Sequence, residues 1–381
     1  MADNTGNKTA EELMELYFGT VDSETGEIPE EKQELSINYL KTAADMGLPE
    51  AWGELGACYY SGFGIEQNIE KASEYLEKAA LRNVANAQMN LYIIMFNSAQ
   101  NEEEKKDALY WLNQAVENKI PSALFETGSL YYNGIIYNQD FKKAYEYYMQ
   151  SAAVGCSEAM SMLGILYMQG QGVETDLKKS VKYFSDGARA GSLTGLYNLG
   201  NAYMGGLGVE QNYSEARACF EKLTNLEEPF YLSSDIYDKK NRLDISMIHY
   251  RLHMYELAYP QAHHNLAVMY LQGLGTDADE SNALRHFMLA AENDYAPACL
   301  QAGRMLYLGE GHSADPEKAF GYLNTALEAG LDDSKLFLGL MYVYGEGVAE
   351  DRKKGIAYLD ELIKAGNVAA IKIKEQIMNE G

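Results

Sequence analysis

The sequence predicts an all-α fold of stacked helical hairpins, and three observations carry that reading. Residues 159–176 (AMSMLGILYMQGQGVETD) and 195–212 (GLYNLGNAYMGGLGVEQN) are two copies of one pattern, offset by 36 residues. The pattern returns along most of the 381-residue chain, and a fixed period of this length marks a repeat array. Within each period, apolar residues recur at helical spacing while glycine pairs and an Asp or Asn punctuate them, so a period reads as helix, turn, helix.

Counting from the small residue that opens the first helix, units begin at Ala51, Ala87, Ala123, Ala159 and Gly195, then at Ala262, Ala298 and Ser334, with Ala370 opening a last helix. Leu, Gly and Tyr at positions 5, 6 and 9 (Leu55, Gly56, Tyr59; Leu338, Gly339, Tyr342) share one side of the first helix. A glycine kept inside a helix implies close backbone approach to a neighbour. Glycines at positions 12 and 14 (Gly62 and Gly64, Gly273 and Gly275, Gly345 and Gly347) end that helix by left-handed turns.

Position 18 is an N-cap in seven units: Asn68, Asp140, Asp176, Asn212, Asp279, Asp315 and Asp351, with Pro316 at a first helical position. The second helix carries a small residue at position 22 (Ala72, Ala144, Ser180, Ala216, Ala283, Ala319) and an aromatic at position 25 (Tyr75, Trp111, Tyr147, Tyr183, Tyr322, Tyr358). Small beside large is how neighbouring helices interdigitate. Pro49, Pro121 and Pro260 are read as unit starts.

Two stretches depart from the pattern. The unit at 87 has Tyr92 and Ser98 where glycines belong, and in the unit at 123 Ile136 replaces the second glycine; both turns are expected to differ in shape. Residues 229–261 read as a unit with a shortened internal turn. At the ends, residues 1–50 form a worn capping unit with an acidic loop over 20–34 and a helix over 36–46, and residues 370–381 form a capping helix.

With 56 acidic against 31 basic residues the net charge is −25, which disfavours nucleic acid and anionic lipid and suits a basic partner. No secretory signal or membrane-length apolar run is visible. Cys58, Cys156, Cys219 and Cys299 fall in four different units with no disulfide or metal spacing, which suits reduced thiols in a cytoplasm.

The motif LG..Y..G.GV followed by an acidic cap and an Ala-rich helix (LGILYMQGQGVETD, LGNAYMGGLGVEQN, LGLMYVYGEGVAED) resembles the Sel-1-like repeat family, relatives of the tetratricopeptide repeats, over about residues 36–370. The resemblance implies a right-handed α/α superhelix, a solenoid of about nine to ten hairpins. Some secreted members carry a cysteine pair per repeat and are described as penicillin-binding; this chain lacks the pairs.

Catalytic and phosphate-binding motifs are missing: there is no H-E-x-x-H, C-x-x-C, G-x-S-x-G, Walker-type loop or Ser-x-x-Lys. No cofactor is implied. His249 and His253, one helical turn apart, are the one weak metal candidate; solvated histidines are the default reading.

By the same resemblance, first helices line a concave face to which positions 3, 7, 10 and 11 point. Position 10 supplies apolar residues (Tyr132, Met168, Met204) and position 11 amides (Asn97, Asn133, Gln169, Gln272). Positions 3 and 7 add Phe125, Tyr197 and His264, and Ser129 and Asn201. Amides beside aromatics and methionines suit an extended peptide; alternatively, position 10 packs on the next unit and the amides meet water. The sequence therefore points to a non-catalytic, cytoplasmic protein- or peptide-binding scaffold, with residues 123–212 the favoured site. A cell-wall or β-lactam hydrolase (by family analogy only) and a self-associating architectural protein, for instance a homodimer, are the alternatives.

Overall fold

The structure is a computed structural model, and it describes residues 8–20, 29–226 and 244–379. These residues form nineteen α-helices and no strand. A first hairpin, α1 (Ala10–Phe18) and α2 (Glu30–Asp45), is followed by α3 (Pro49–Ser61) with α4 (Ile69–Ala80) and α5 (Ala85–Ser98) with α6 (Glu102–Glu117). Next come α7 (Pro121–Asn133) with α8 (Phe141–Ala153), α9 (Ser157–Gln169) with α10 (Leu177–Arg189), and α11 (Leu193–Gly205) followed by α12 (Tyr213–Thr224). After α13 (Ile245–Gln272) and α14 (Glu280–Ala291), α15 (Ala296–Leu308) pairs with α16 (Pro316–Glu328), α17 (Ser334–Tyr344) with α18 (Arg352–Lys364), and α19 (Val368–Asn379) ends the array.

The punctuation acts as its chemistry requires. All seven position-18 residues accept a hydrogen bond from the backbone N–H three residues on, from Asn68 with Lys71 to Asp351 with Lys354. At the other helix end, Gln67, Gln139 and Gln211 donate their side-chain amides to the carbonyls of Tyr60, Tyr132 and Met204, at 2.7–2.9 Å. That satisfies a carbonyl left over at the end of each first helix.

The repeated glycines answer to two neighbours. A Cβ on Gly164 would lie 2.6 Å from the Phe184 ring, and one on Gly56 or Gly303 would meet Leu76 or Leu323 as closely. The position-6 glycine thus admits the large residue of its own unit's second helix. The position-14 glycine instead meets the preceding unit: a Cβ on Gly208 would stand 2.2 Å from the Leu177 carbonyl oxygen, and one on Gly347 2.3 Å from that of Pro316.

Ile136 corrects one expectation. It adopts the same left-handed backbone as the glycines it replaces (φ +65°), so that turn keeps the common shape although a β-branched residue is strained there. The turn after α5 does differ, since its C-cap Ala99 is extended at φ −61°. Ile136→Gly is expected to raise stability by about 0.5–1 kcal/mol, the relief of left-handed strain exceeding glycine's backbone entropy; urea unfolding followed by circular dichroism checks it.

Tyrosines of facing helices stack in the units opening at 51, 123 and 159, Tyr59 on Tyr75, Tyr131 on Tyr147 and Tyr167 on Tyr183. Lys71, Lys143 and Lys179 each lie over the first ring of their pair at 4.9–5.2 Å. This explains part of the chain's 30 tyrosines.

The chain forms two compact units, the first comprising residues 1–199, 207–209 and 226–254, the second 200–206, 210–225 and 255–381. The division passes through α13. That helix runs for 28 residues with Pro260 inside it, whereas Pro49 and Pro121 stand at the first positions of α3 and α7. Of the expected short unit over 229–261, residues 229–243 lie outside the described residues. The expected acidic loop over 20–34 is shorter, because α2 already begins at Glu30; residues 21–28 lie outside the described residues. At the far end α19 is capped by Asn367, which accepts from the N–H groups of Ala369 and Ala370. All four cysteines are free and buried, and no helix among the described residues is long and apolar enough to cross a membrane.

Candidate interaction face on the first helices

The position-10 and position-11 columns lie at the last turns of the first helices. In the first unit Phe96, Tyr132 and Met168 are half-buried, while Asn97, Asn133 and Gln169 beside them are exposed. Tyr60 is hydrogen-bonded to Asn97, and Tyr132 meets Phe141 edge-on at 5.4 Å. Tyr197 is half-buried. Two of the candidate residues turn inward. Phe125 is 3% exposed, wedged against Tyr148 and Tyr250, so it is core and not an open groove residue. Ser129 donates to the Phe125 carbonyl and shares a hydrogen bond with the Tyr148 hydroxyl.

In the second unit Met204 is half-buried and Gln272 exposed, as their column mates are. Asn201 accepts a hydrogen bond from Asn265 at 3.1 Å. His264 is half-buried, edge-on to Phe287 and Tyr295. A cleft of about 270 Å³ beside α14 and α16 mixes Arg285, His312 and Lys318 with Glu292 and Asp315, so it favours neither charge.

A deeper polar row in the first unit escaped the sequence reading. Position 4 carries Glu54, Asn90 and Glu126, and the residues just before two unit openings are Glu158 and Thr194. All lie on first helices, and Glu54, Asn90, Glu158 and Thr194 are at most 4% exposed. Glu54, Asn90, Glu126 and Glu158 find partners, as buried polar groups must. Tyr17 of α1 donates to Glu54 at 3.1 Å, and Tyr92 donates to Glu126 at 3.0 Å. Ser192 donates to Glu158 at 2.5 Å. Burial pushes the carboxyls of Glu126 and Glu158 above the usual range; the Tyr92 hydroxyl opposes this at Glu126, and Ser192 and the Arg251 guanidinium oppose it at Glu158. A polar residue repeating at position 4 of an otherwise apolar helix face was the available signal.

The start of α13 lies on this row. The N–H of Ile245 donates to the Asn90 side chain at 3.1 Å, and Asp244 accepts from the N–H of Met247. Met247 and Tyr250 pack into the cluster of Phe125, Tyr148, Cys156 and Leu163, with Tyr250 edge-on to Phe125 at 4.8 Å. The Tyr250 hydroxyl lies beside the Thr194 side chain, and Arg251 is 6% exposed. A stretch of this chain therefore covers part of the face that the repeat pattern marks for a ligand.

Of the metal candidates, the His249 side chain lies outside the described residues and His253 is exposed. Among the described residues no group of three or more His, Cys, Asp or Glu side chains is arranged to hold a metal. The histidines that do meet are His263 and His286, Nδ1 to Nδ1 at 2.8 Å, with Tyr259 edge-on to His263 and Tyr270 stacked on His286. Arg285 approaches Nε2 of His286 at 3.1 Å. Burial, then neighbouring positive charge, depresses both imidazoles, His263 to about 3 and His286 to about 4.

The Sel1 repeat model matches residues 23–48, 53–84, 121–156, 157–192, 194–226, 260–295, 296–331 and 333–367. The stretches between, 85–120 and 227–259, contain α5, α6 and the start of α13. No curated protein matches. Among solved structures, the chain is similar to a Sel1 repeat protein from Oxalobacter formigenes, at 19% identity and TM-score 0.54, over 72% of this chain and 95% of that one. It is also similar to c5321, a protective antigen of uropathogenic Escherichia coli displaying an SLR fold (23% identity, TM-score 0.46, 98% of this chain and 88% of that one). A third likeness is to immunity protein Pa5087 from Pseudomonas aeruginosa (18%, TM-score 0.40, 66% and 81%).

Proposed function

The chain belongs to the Sel1 repeat family, and on that footing we propose that it is a non-catalytic scaffold that binds a polypeptide on the first-helix face of its first unit. The observation that carries this is the pair of columns at the ends of α5, α7 and α9. Half-buried Phe96, Tyr132 and Met168 run beside exposed Asn97, Asn133 and Gln169. The apolar column offers area to bury, and the amides offer both donors and acceptors to a peptide backbone whatever its sequence. A net charge of −25 favours a basic partner and speeds its encounter at low salt.

The test uses the immobilised full chain and extract of its own source cells. Asn133→Ala with Gln169→Ala is expected to weaken capture of a polypeptide partner about tenfold while leaving the unfolding midpoint unchanged. Retention of every captured protein by the double variant overturns the reading.

A further inference from the structure

Two stretches of this chain break the repeat pattern, the unit at 87 and the segment before Ala262, and they touch each other. Asn90 of α5 accepts the N–H of Ile245, the first residue of α13. The N–H groups of a helix's first turn have no partner within the helix, so a side-chain acceptor placed there recognises a helix start. Two turns of that helix then fit the face in order. Met247 and Tyr250, three residues apart and hence on one side, fill the cluster of Phe125, Tyr148 and Cys156. Tyr250 also reaches Thr194 of α11, and the next residue, Arg251, brings a buried positive charge to the buried carboxylate of Glu158.

The fit is incomplete at its charged end. One carboxylate oxygen of Glu158 and the Nε of Arg251 are both buried without a hydrogen-bond partner. An unpaired buried polar atom is costly, so a helix that satisfied both would compete well against the resident one.

We propose that α5, α7, α9 and α11 form a receptor for the N-terminal turns of an amphipathic helix carrying Met-x-x-Tyr-Arg or its chemical equivalent, and that residues 244–254 are a resident copy of that ligand which a partner helix displaces. The inference rests on the reading of this face as polypeptide-binding. It adds the partner's chemistry: a helix start, a flexible apolar residue, an aromatic one turn on, and an arginine immediately after it. Glu158 selects the arginine, and the chain's acidity disfavours competitors with a carboxylate at that place.

The probe is a fluorescent peptide of this chain's residues 244–257, titrated by anisotropy against three full-length proteins. The wild type is expected to bind it weakly, because the face is filled. Met247→Ala with Tyr250→Ala vacates the face and is expected to bind at least about tenfold more tightly. Adding Glu158→Gln to that variant reverses most of the gain, as does Arg251→Glu in the probe. Because the double truncation opens a cavity and can impair folding, Arg251→Gln alone, which leaves the apolar anchors in place, is titrated as well; it is expected to bind the probe more tightly than wild type. Equal binding by all these proteins, or binding by none, overturns the proposal. So does a wild-type dimer that Tyr250→Ala dissociates, since the face then belongs to a second copy. If the probe fails while Asn133→Ala with Gln169→Ala still loses partner capture, only the helix receptor is lost; if that double variant also keeps every partner, the underlying reading fails too.

Discussion

Gly208→Ala destabilises the chain by about 2–5 kcal/mol, adding left-handed strain of about 1–2 kcal/mol to an overpacking cost of about 1–3 kcal/mol. The two terms arise together because Gly208 has φ +75° and its missing Cβ would stand 2.2 Å from the Leu177 carbonyl oxygen and 2.4 Å from its carbon. Those are backbone atoms at the start of a capped helix, held in place by the Asp176 cap, so they cannot swing aside as a side-chain tip would. Gly366→Ala is the control. Its φ is +88°, but nothing lies within 4 Å of the added carbon, so only the strain of about 1–2 kcal/mol is expected. Urea unfolding of the two variants separates the effects, and similar losses in both would show that close approach between units is not what selects the glycine.

Acid is expected to weaken the second unit. His263 and His286 are 4% and 6% exposed and titrate at about 3 and about 4 when folded. An unfolded histidine titrates near 6.5, so between about pH 6.5 and 4 the unfolded chain binds protons that the folded one refuses. Stability from these groups is therefore intact above pH 6.5 and declines as pH falls through that window. At pH 5 the loss is up to about 2 kcal/mol for each imidazole, and about 4 kcal/mol for the pair. His264, depressed by burial, acts in the same direction. Glu126 and Glu158 in the first unit have the opposite sign, because their raised carboxyls keep protons in the folded state and so favour folding as pH falls.

Unfolding midpoints at pH 7, 6 and 5, with hydrogen exchange reporting on residues 255–379, check this. His286→Phe, which keeps the ring stacked on Tyr270, should remove about half of the slope. An unchanged slope in that variant would move the acid sensitivity elsewhere.

How far the chain could be read beforehand depends on the range of each interaction. The N-caps at position 18 and the glycine-ended helices follow from residues within a few positions of each other, and they stand where the spacing put them. The turn at Ile136 was misjudged because local rules weigh a residue's own preference. The fold around it, with Tyr131 stacked on Tyr137, holds that residue left-handed regardless. Pro260 opens no helix of its own, because proline's local preference for a first turn yields to a continuous helix whose two halves belong to different units.

The candidate site was half legible. Asn97, Asn133 and Gln169 repeat at one position and are exposed, whereas Phe125, marked by the same logic, is covered by Tyr250, which lies 125 residues further along the chain. The polar row of Glu54, Asn90 and Glu126 was present in the register, but Tyr17, Ile245 and Tyr92, which bond it, lie 34 or more positions away. The sequence alone determined the repeat, its hairpins, their caps and the family, because periodicity and capping are local and recur. Only the tertiary structure decided what touches the inner face, because the Asn90–Ile245 and Phe125–Tyr250 contacts join distant positions, and which side chain fills a pocket is set by shape and charge after the hairpins have stacked.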